Sequence, residues 1–289
     1  MAPVSWSAVV AMLLASASFS VMGVLLKRAA GDLSTVQLVF WRSVVILAIA
    51  HPLLRRSGAG WRPGNARTMA LRCGSGLAAM LCFFWSIHGL PLGTATAVQY
   101  LSPVFTLLLA VPILGERSGP VGFGLVGVAF GGVLLVLRPE VEGGLLAGLA
   151  GLAGAALAGV AYVSVRLLRT TDPPSRIVWW FAVASVLATA PFALAQGLPT
   201  GGQWWLVLGI GLGATGGQFG MTMAYRLGEA TRVGPLSYAT VVFSAAAGVL
   251  VFGESLSAWT VGGVALIIAA GAALSAGVGR RSPGVPRNS

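Results

Sequence analysis

Residues 104–116 read VFTLLLAVPILGE, and residues 242–254 read VFSAAAGVLVFGE. The phrase returns after 138 positions, and the register holds beyond it without a gap: Tyr100 falls on Tyr238, Gly115 and Glu116 on Gly253 and Glu254, and Gly124 on Gly262. A 289-residue chain that repeats itself at this offset is two copies of one unit. What that unit is follows from the solvent it suits.

The chain is 56% hydrophobic and 9% charged, where a soluble domain carries roughly a quarter of its residues as Asp, Glu, Lys or Arg. That composition fits lipid. A hydrocarbon core about 30 Å thick is crossed by a helix of roughly 20 apolar residues. Ten stretches approach this length: residues 5–26, 36–54, 69–88, 94–114, 121–137, 144–165, 176–196, 203–225, 233–252 and 257–277. Each copy holds five. An odd number of crossings makes the second copy enter from the opposite side. The expected fold is therefore all-α and polytopic, with ten transmembrane helices in two inverted five-helix repeats, residues 1–140 and 141–289, the second ending in a short basic tail. The residues before the first apolar run, MAPVS, carry no basic side chain, so a retained first helix is expected rather than a cleaved signal.

A net charge of +11 raises the question of nucleic acid, whose usual footprint is clustered Lys and Arg. The positions answer it. One side of a ten-helix bundle would carry Arg55, Arg56, Arg62, Arg67, Arg72, Arg117, Arg166, Arg169, Arg176, Arg226, Arg232, Arg280, Arg281 and Arg287; the other would carry Lys27, Arg28 and Arg138. This asymmetry is the positive-inside pattern and places both termini in the cytoplasm of a bacterial-type inner membrane. The partner is then the bilayer, with no nucleic acid, and the protein a monomer or homodimer.

Inverted repeats are how many secondary transporters build two exchangeable states around a midplane site. A Gly-Glu pair closing the fourth and ninth helices, FWRSVVIL (40–47) in the second, and GLPLGTATAVQYLSPVFTLLLAVPILGER (89–117) resemble the EamA-type families of the drug/metabolite transporter superfamily over the whole chain. The resemblance implies ten helices, cytoplasmic termini and a central cavity lined by helices 1, 3, 4, 6, 8 and 9. PLGTATA and a Lys ending the first helix are similar to S-adenosylmethionine-uptake proteins and to a eukaryotic organic-anion branch. The implied function is alternating-access transport of a small polar or amphipathic metabolite, an amino acid or a derivative, with an organic anion or carboxylate as the alternative.

Arg42 stands about seven residues inside the second span, where a guanidinium costs at least about 2.5 kcal/mol on insertion scales. An internal acid, helix carbonyls or snorkelling would satisfy it; so would a substrate carboxylate or phosphate. Arg72 and Lys27 lie nearer span ends, where snorkelling is expected, with substrate contact as the other reading. In VQYLSP, Pro103 has no N–H and strips the Gln99 carbonyl of its helical donor, so the fourth span should kink. Gln99, Tyr100 and Ser102 then place hydrogen-bonding groups at membrane depth, as where backbone lines a protected cavity. Tyr238 takes the equivalent place in the ninth span, and inversion carries both tyrosines toward one central region, for binding or for packing. Phe19, Trp41, Trp85, Tyr162, Gln218 and Tyr225 complete the candidate substrate-binding set. Gln218 enters because ATGGQFG sets an amide among small residues that let helices approach closely. Trp6, Trp61, Trp204, Trp205 and Trp259 suit an interfacial belt, and Trp179 and Trp180 a lipid-facing position.

Other classes find less support. An integral-membrane enzyme needs acids, histidines or a nucleophile at shared depth, and His51 and His88 have no acid nearby in sequence. Two histidines with Cys73 and Cys82 make no metal-ligand spacing, so no metal and no cofactor is expected. The two cysteines are too far apart along one helix for a disulfide and suit packing. A channel would show a charged ring or filter. Glu116 and Glu254 either carry protons or, more plainly, fix a hairpin by serving the next helix's N-terminus. With the remaining acids Asp32, Glu140, Glu142, Asp172 and Glu229 at helix ends or in loops, a facilitator or exchanger is expected rather than a proton-driven pump. The glycine patterns, such as GATGG (213–217), point to close helix packing, with hinge motion as the other reading.

Overall fold

The computed structural model describes residues 6–114, 120–136, 144–168, 171–227 and 234–275. These residues form eleven α-helices: α1 Trp6–Ala29, α2 Thr35–Arg56, α3 Ala66–Gly89, α4 Leu92–Gln99, α5 Ser102–Leu114, α6 Pro120–Val136, α7 Gly144–Leu168, α8 Pro174–Ala195, α9 Gln203–Leu227, α10 Ala239–Phe252 and α11 Ala258–Ser275. A 3-10 turn, Gly234–Tyr238, leads into α10. Helices α4 and α5 are two parts of one span, so the elements make ten crossings. Five helices (α1, α2, α3, α7 and α8) are long and apolar enough by length and composition to cross a membrane.

Local chemistry sets the ends. Ser34 opens α2 through a capping box, its hydroxyl accepting from the Gln37 N–H while the Gln37 side chain accepts from the Ser34 N–H. Asn65 caps α3 by accepting from Thr68 N–H at 3.0 Å. Leu90, forced into extended backbone by Pro91, ends that helix. The expected kink in the fourth span is present as a break: helical structure stops at Gln99 and resumes at Ser102. Gly253, at φ +65°, closes α10 in the left-handed region, and the Glu254 N–H returns to the Gly248 carbonyl at 3.2 Å. The equivalent Gly115 and Glu116 lie outside the described residues, as does the expected boundary between the halves at residue 140.

The packing obeys an exchange of halves. If the spans of the first copy are swapped with those of the second, the α1–α9 pair becomes α7–α3, and both pairs are packed. In the same way α5–α7 becomes α10–α1, and α2–α9 becomes α8–α3, all of them packed. Three pairs, α2–α8, α6–α11 and α4–α10, map onto themselves. Five crossings per copy and this pattern of pairing together describe an inverted repeat.

Glycines make the two exchanged seams close. A Cβ on Gly213 of α9 would lie 3.1 Å from both Met22 Cβ and the Ser18 carbonyl oxygen of α1, and one on Gly220 would lie 3.0 Å from Ala15 Cβ. In the mate seam, a Cβ on Gly154 of α7 would lie 3.0 Å from Cys82 Cβ and 3.1 Å from the Ala79 oxygen of α3. The packing expected of the glycine patterns is thus what these positions do, and Cys82 serves as a small packing residue. With no hydrophobic drive between lipid-embedded helices, such approaches are how dispersion holds them together.

On the face bearing the α2–α3 and α7–α8 loops, Asp172 ties the two loops together. Its carboxylate accepts from Gly64 N–H at 3.0 Å and from the Thr171 hydroxyl at 2.7 Å, and it pairs with Arg176 at 3.1 Å. Trp179 and Trp180 differ from the lipid-facing expectation. Both are half-buried, and their indole N–H groups donate to His51 Nδ1 at 3.2 Å and to the Trp61 carbonyl at 2.7 Å. An indole N–H has no acceptor in a lipid tail, and the α2 end and the following loop supply one.

Candidate functional site

Helix α2 carries Arg42 inward, where it is 6% exposed. Nη1 lies 3.0 Å from Met80 Sδ of α3, and Nε is buried with no partner. A guanidinium offers five donors and a thioether is a weak acceptor, so most of this group's hydrogen-bonding capacity is unused. Among the described residues no acid meets it, and at 6% exposed it does not reach out to a surface.

Arg72 departs further from the sequence expectation. Its side chain does not run to the nearer surface but turns along α3 toward the middle of the bundle. The guanidinium covers Gly76, one turn on, and stacks on the Phe181 ring of α8 at 4.4 Å. The physical reason is space: glycine at position 76 leaves room that any side chain would fill, and the aromatic face of Phe181 receives the cation. Its Nε is likewise buried without a partner. Among the described residues no acid pairs with either arginine.

Tyr162 of α7, 44% exposed, lies within the electrostatic reach of Arg72. Gln99 presents a buried Oε1 without a hydrogen bond, close to Gly154 of α7. Trp41 stacks edge-on with Phe40 and with Trp204 of α9, at 4.8 and 5.0 Å between ring centroids, and its Nε1 is buried and unpaired. Phe19 of α1 lays its ring against the backbone of α9 at Gly217, beside Gln218. Trp85 is 47% exposed near the far end of α3 and joins neither arginine. Tyr225 is in α9, but its side chain lies outside the described residues.

The two tyrosines of the repeat do meet. Tyr100 and Tyr238 stand 5.8 Å apart between centroids, and the Tyr100 hydroxyl donates to Thr240 Oγ1 at 2.8 Å. Tyr238 is buried in an apolar cluster with Val98, Leu101, Val104 and Ile267. The two tyrosines thus form a contact between the halves, at the break in the fourth span, and Tyr238 packs there.

A second charged group closes the opposite face. Glu254, placed by the left-handed Gly253, pairs with Lys27 of α1 and accepts from Leu92 N–H at 3.0 Å; Lys27 also donates to the Leu90 carbonyl at 3.1 Å. This corrects two expectations. Lys27 does not snorkel, and Glu254 serves the N-terminus of α4 in the other half rather than that of the next helix, α11, where Ser257 accepts from Thr260 N–H. The first turn of α4 offers free N–H groups and a positive dipole end that the intervening loop brings beside Glu254.

The profile of the EamA-like transporter family matches residues 6–138 and again 145–276. The chain belongs to the EamA-like transporter family. This EamA chain is an integral membrane protein, and its relatives are named as transporters. It is 30% identical over 272 residues to the pseudopaline exporter of Pseudomonas aeruginosa (strain UCBPP-PA14), covering 93% of this chain and 96% of that one. It is 28% identical to the riboflavin transporter of Rhizobium johnstonii, covering 90% and 87%, and 25% identical to the human solute carrier family 35 member G1, covering 89% and 75%. A solved crystal structure with 22% identity superposes at a TM-score of 0.69 over 94% of this chain and 97% of that one, which shows the EamA fold.

Sequence reasoning missed Met80, Phe181 and Thr240 as partners of the candidate residues, and it misread Arg72. One signal was available for the last: Arg72, Gly76 and Met80 recur at intervals of four and so share a face of α3. The Lys27–Glu254 pair joins residues 227 positions apart, which no local pattern can indicate.

Proposed function

We propose that this protein is a secondary carrier that moves a small carboxylate-bearing metabolite across a bacterial-type inner membrane by alternating access, with both termini in the cytoplasm and by facilitated diffusion or exchange. The observation that carries this reading is Arg42, a buried guanidinium whose hydrogen-bond contact among the described residues is a thioether. A charge kept in that condition inside a membrane protein marks a functional position, and a carboxylate arriving with substrate supplies the partner the fold withholds.

The substrate classes considered are an amino acid or derivative such as S-adenosylmethionine, and an organic anion. The first needs acceptors for a cation as well as for a carboxylate, and Trp41, Phe19 and Phe181 can offer ring faces. The second needs only cationic anchors. A pair of arginines with no acid beside them among the described residues supports the organic anion.

The test is transport in proteoliposomes with Arg42→Lys, which keeps the charge but loses the planar fork suited to a carboxylate. Flux should saturate, exchange with unlabelled substrate and fall at least tenfold in the variant at normal membrane abundance. Normal flux in Arg42→Lys, or failure of the variant to accumulate, would return Arg42 to a structural role, and non-saturating flux would mark a channel.

A further inference from the structure

The Arg72 guanidinium lies at Gly76 and the Arg42 guanidinium at Met80, on one face of α3. One helical turn, about 6 Å, separates these stations. Arg42 stands in the field of Arg72. Of the acids among the described residues, Glu254 is held by Lys27 at one face, Asp172 by Arg176 at the other, and Asp32 sits exposed in the α1–α2 turn. Two like charges on one face of α3, with no counter-charge among the described residues, repel each other, and a ring face and a thioether are the partners found for them there.

Their presentation is nonetheless orderly. The Phe181 ring lies 4.4 Å from the Arg72 guanidinium carbon and holds the cation in place on α3, and the guanidinium's planar fork suits a carboxylate. Tyr162 stands within the electrostatic reach of Arg72, and Gln99 Oε1, without a partner among the described residues, gives an acceptor at Gly154 on the α3–α7 seam. The first half of the chain holds both charges. At the corresponding stretch of α8, the repeat mate of α2, stand Trp179 and Trp180.

Resting on the carrier reading above, we infer that Arg42 and Arg72 are two anchors for one substrate that bears two carboxylates. With carbon–carbon bonds of about 1.5 Å, carboxylates joined by two or three methylenes lie about 4 to 5 Å apart, which suits forks one helical turn apart. Arg72 is the specificity-determining member: Arg42 receives any carboxylate, and Arg72 selects the metabolite that carries a second.

The experiment measures thermal unfolding of the purified protein in detergent against propionate, succinate, glutarate, pimelate and methyl phosphate, since a ligand that binds the folded state raises its apparent stability. Succinate or glutarate should stabilise at concentrations at least tenfold below propionate, with pimelate weaker than the better of the two. Arg72→Gln should reduce the dicarboxylate response to the level of propionate and leave the propionate response in place. Equal responses to propionate and the dicarboxylates, a dicarboxylate preference surviving in Arg72→Gln, a stronger response to methyl phosphate, or no response to any dicarboxylate would each overturn the inference. If Arg72→Gln does not accumulate, the wild-type series decides alone. Exchange of labelled succinate in proteoliposomes separates the two readings. Dicarboxylate binding without exchange removes the carrier and leaves the anchors; propionate exchange as efficient as that of succinate removes the anchors and leaves the carrier.

Discussion

Asp172 is 3% exposed, covered by its own donors near the edge of the molecule. Burial alone would raise its pKa, but the Gly64 N–H, the Thr171 hydroxyl and the Arg176 guanidinium together hold the carboxyl below its ordinary value. In the unfolded chain the group has its ordinary pKa of about 3.9. The unfolded state therefore takes up the proton first as pH falls. The contribution of this latch is complete above the ordinary carboxylate range and is lost as pH falls through the depressed folded value. Asp172→Asn should lower stability at pH 7 by about 1 to 3 kcal/mol, and the gap to wild type should close in acid. Thermal unfolding in detergent at a series of pH values checks this, and a gap independent of pH would show that the carboxylate charge is not what ties the loops. Residues of this kind divide by how local their chemistry is. Arg42 could be singled out from sequence because a lone charge inside an apolar run needs no partner to be noticed. The Asp172 latch and the turn of Arg72 toward the midplane could not, because each depends on Gly64, Phe181 or another group brought in by the fold.

At the scale of helices, the seams between α1 and α9 and between α3 and α7 rest on missing side chains. Gly213→Val would drive branched carbons into Met22 and the Ser18 carbonyl, and should cost about 1 to 3 kcal/mol as overpacking does. Gly74→Ala on α3, where a Cβ meets nothing within 4 Å, serves as the matched control and should be neutral or slightly stabilising. Similar losses in both variants would mean that helix propensity, not the seam, is being measured. The pair on the opposite face gives a second case. Glu254→Gln keeps the shape of the acceptor at Leu92 N–H and leaves Lys27 with a neutral partner. It should reduce stability by about 1 to 3 kcal/mol, and Lys27→Met with Glu254→Gln should recover part of that loss; a double variant as weak as the sum of the singles would show that the charges do not cooperate. Most of the helical layout was readable from apolar runs of fitting length, and the break in the fourth span from one proline. The capping of α4 by Glu254 was not, since it uses a carboxylate from the other copy.

For the whole molecule, the charge asymmetry predicts an orientation that single cysteines can read in a cysteine-free background. Ser57→Cys, on an exposed position of the α2–α3 loop, should resist an impermeant thiol reagent added outside intact cells, and Asp32→Cys, in the exposed turn at the other face, should react. Labelling of Ser57→Cys alone would invert the protein. Architecture at this scale was legible because a repeat and an odd number of crossings fix the inversion without any contact being known. The relative of each helix was legible too, but not which helices touch, because a pairing such as α1 with α9 depends on shape along a whole face rather than on residue type.

The exchange of packed pairs between the halves carries a genetic consequence. On the alternating cycle proposed above, the α1–α9 seam and its mate α3–α7 would act as opposing loads on one equilibrium. A mild lesion in either, Gly213→Ala or Gly154→Ala, tilts the resting population and slows turnover. Combined, the two lesions cancel in the balance though they add in the fold. The double variant should then carry substrate faster than either parent while unfolding at a lower temperature than both, a sign of epistasis that independent damage cannot produce. A selection for restored growth on a Gly213→Ala background should accordingly return suppressors on α3 and α7, in the half of the chain's packing that the first lesion never touches.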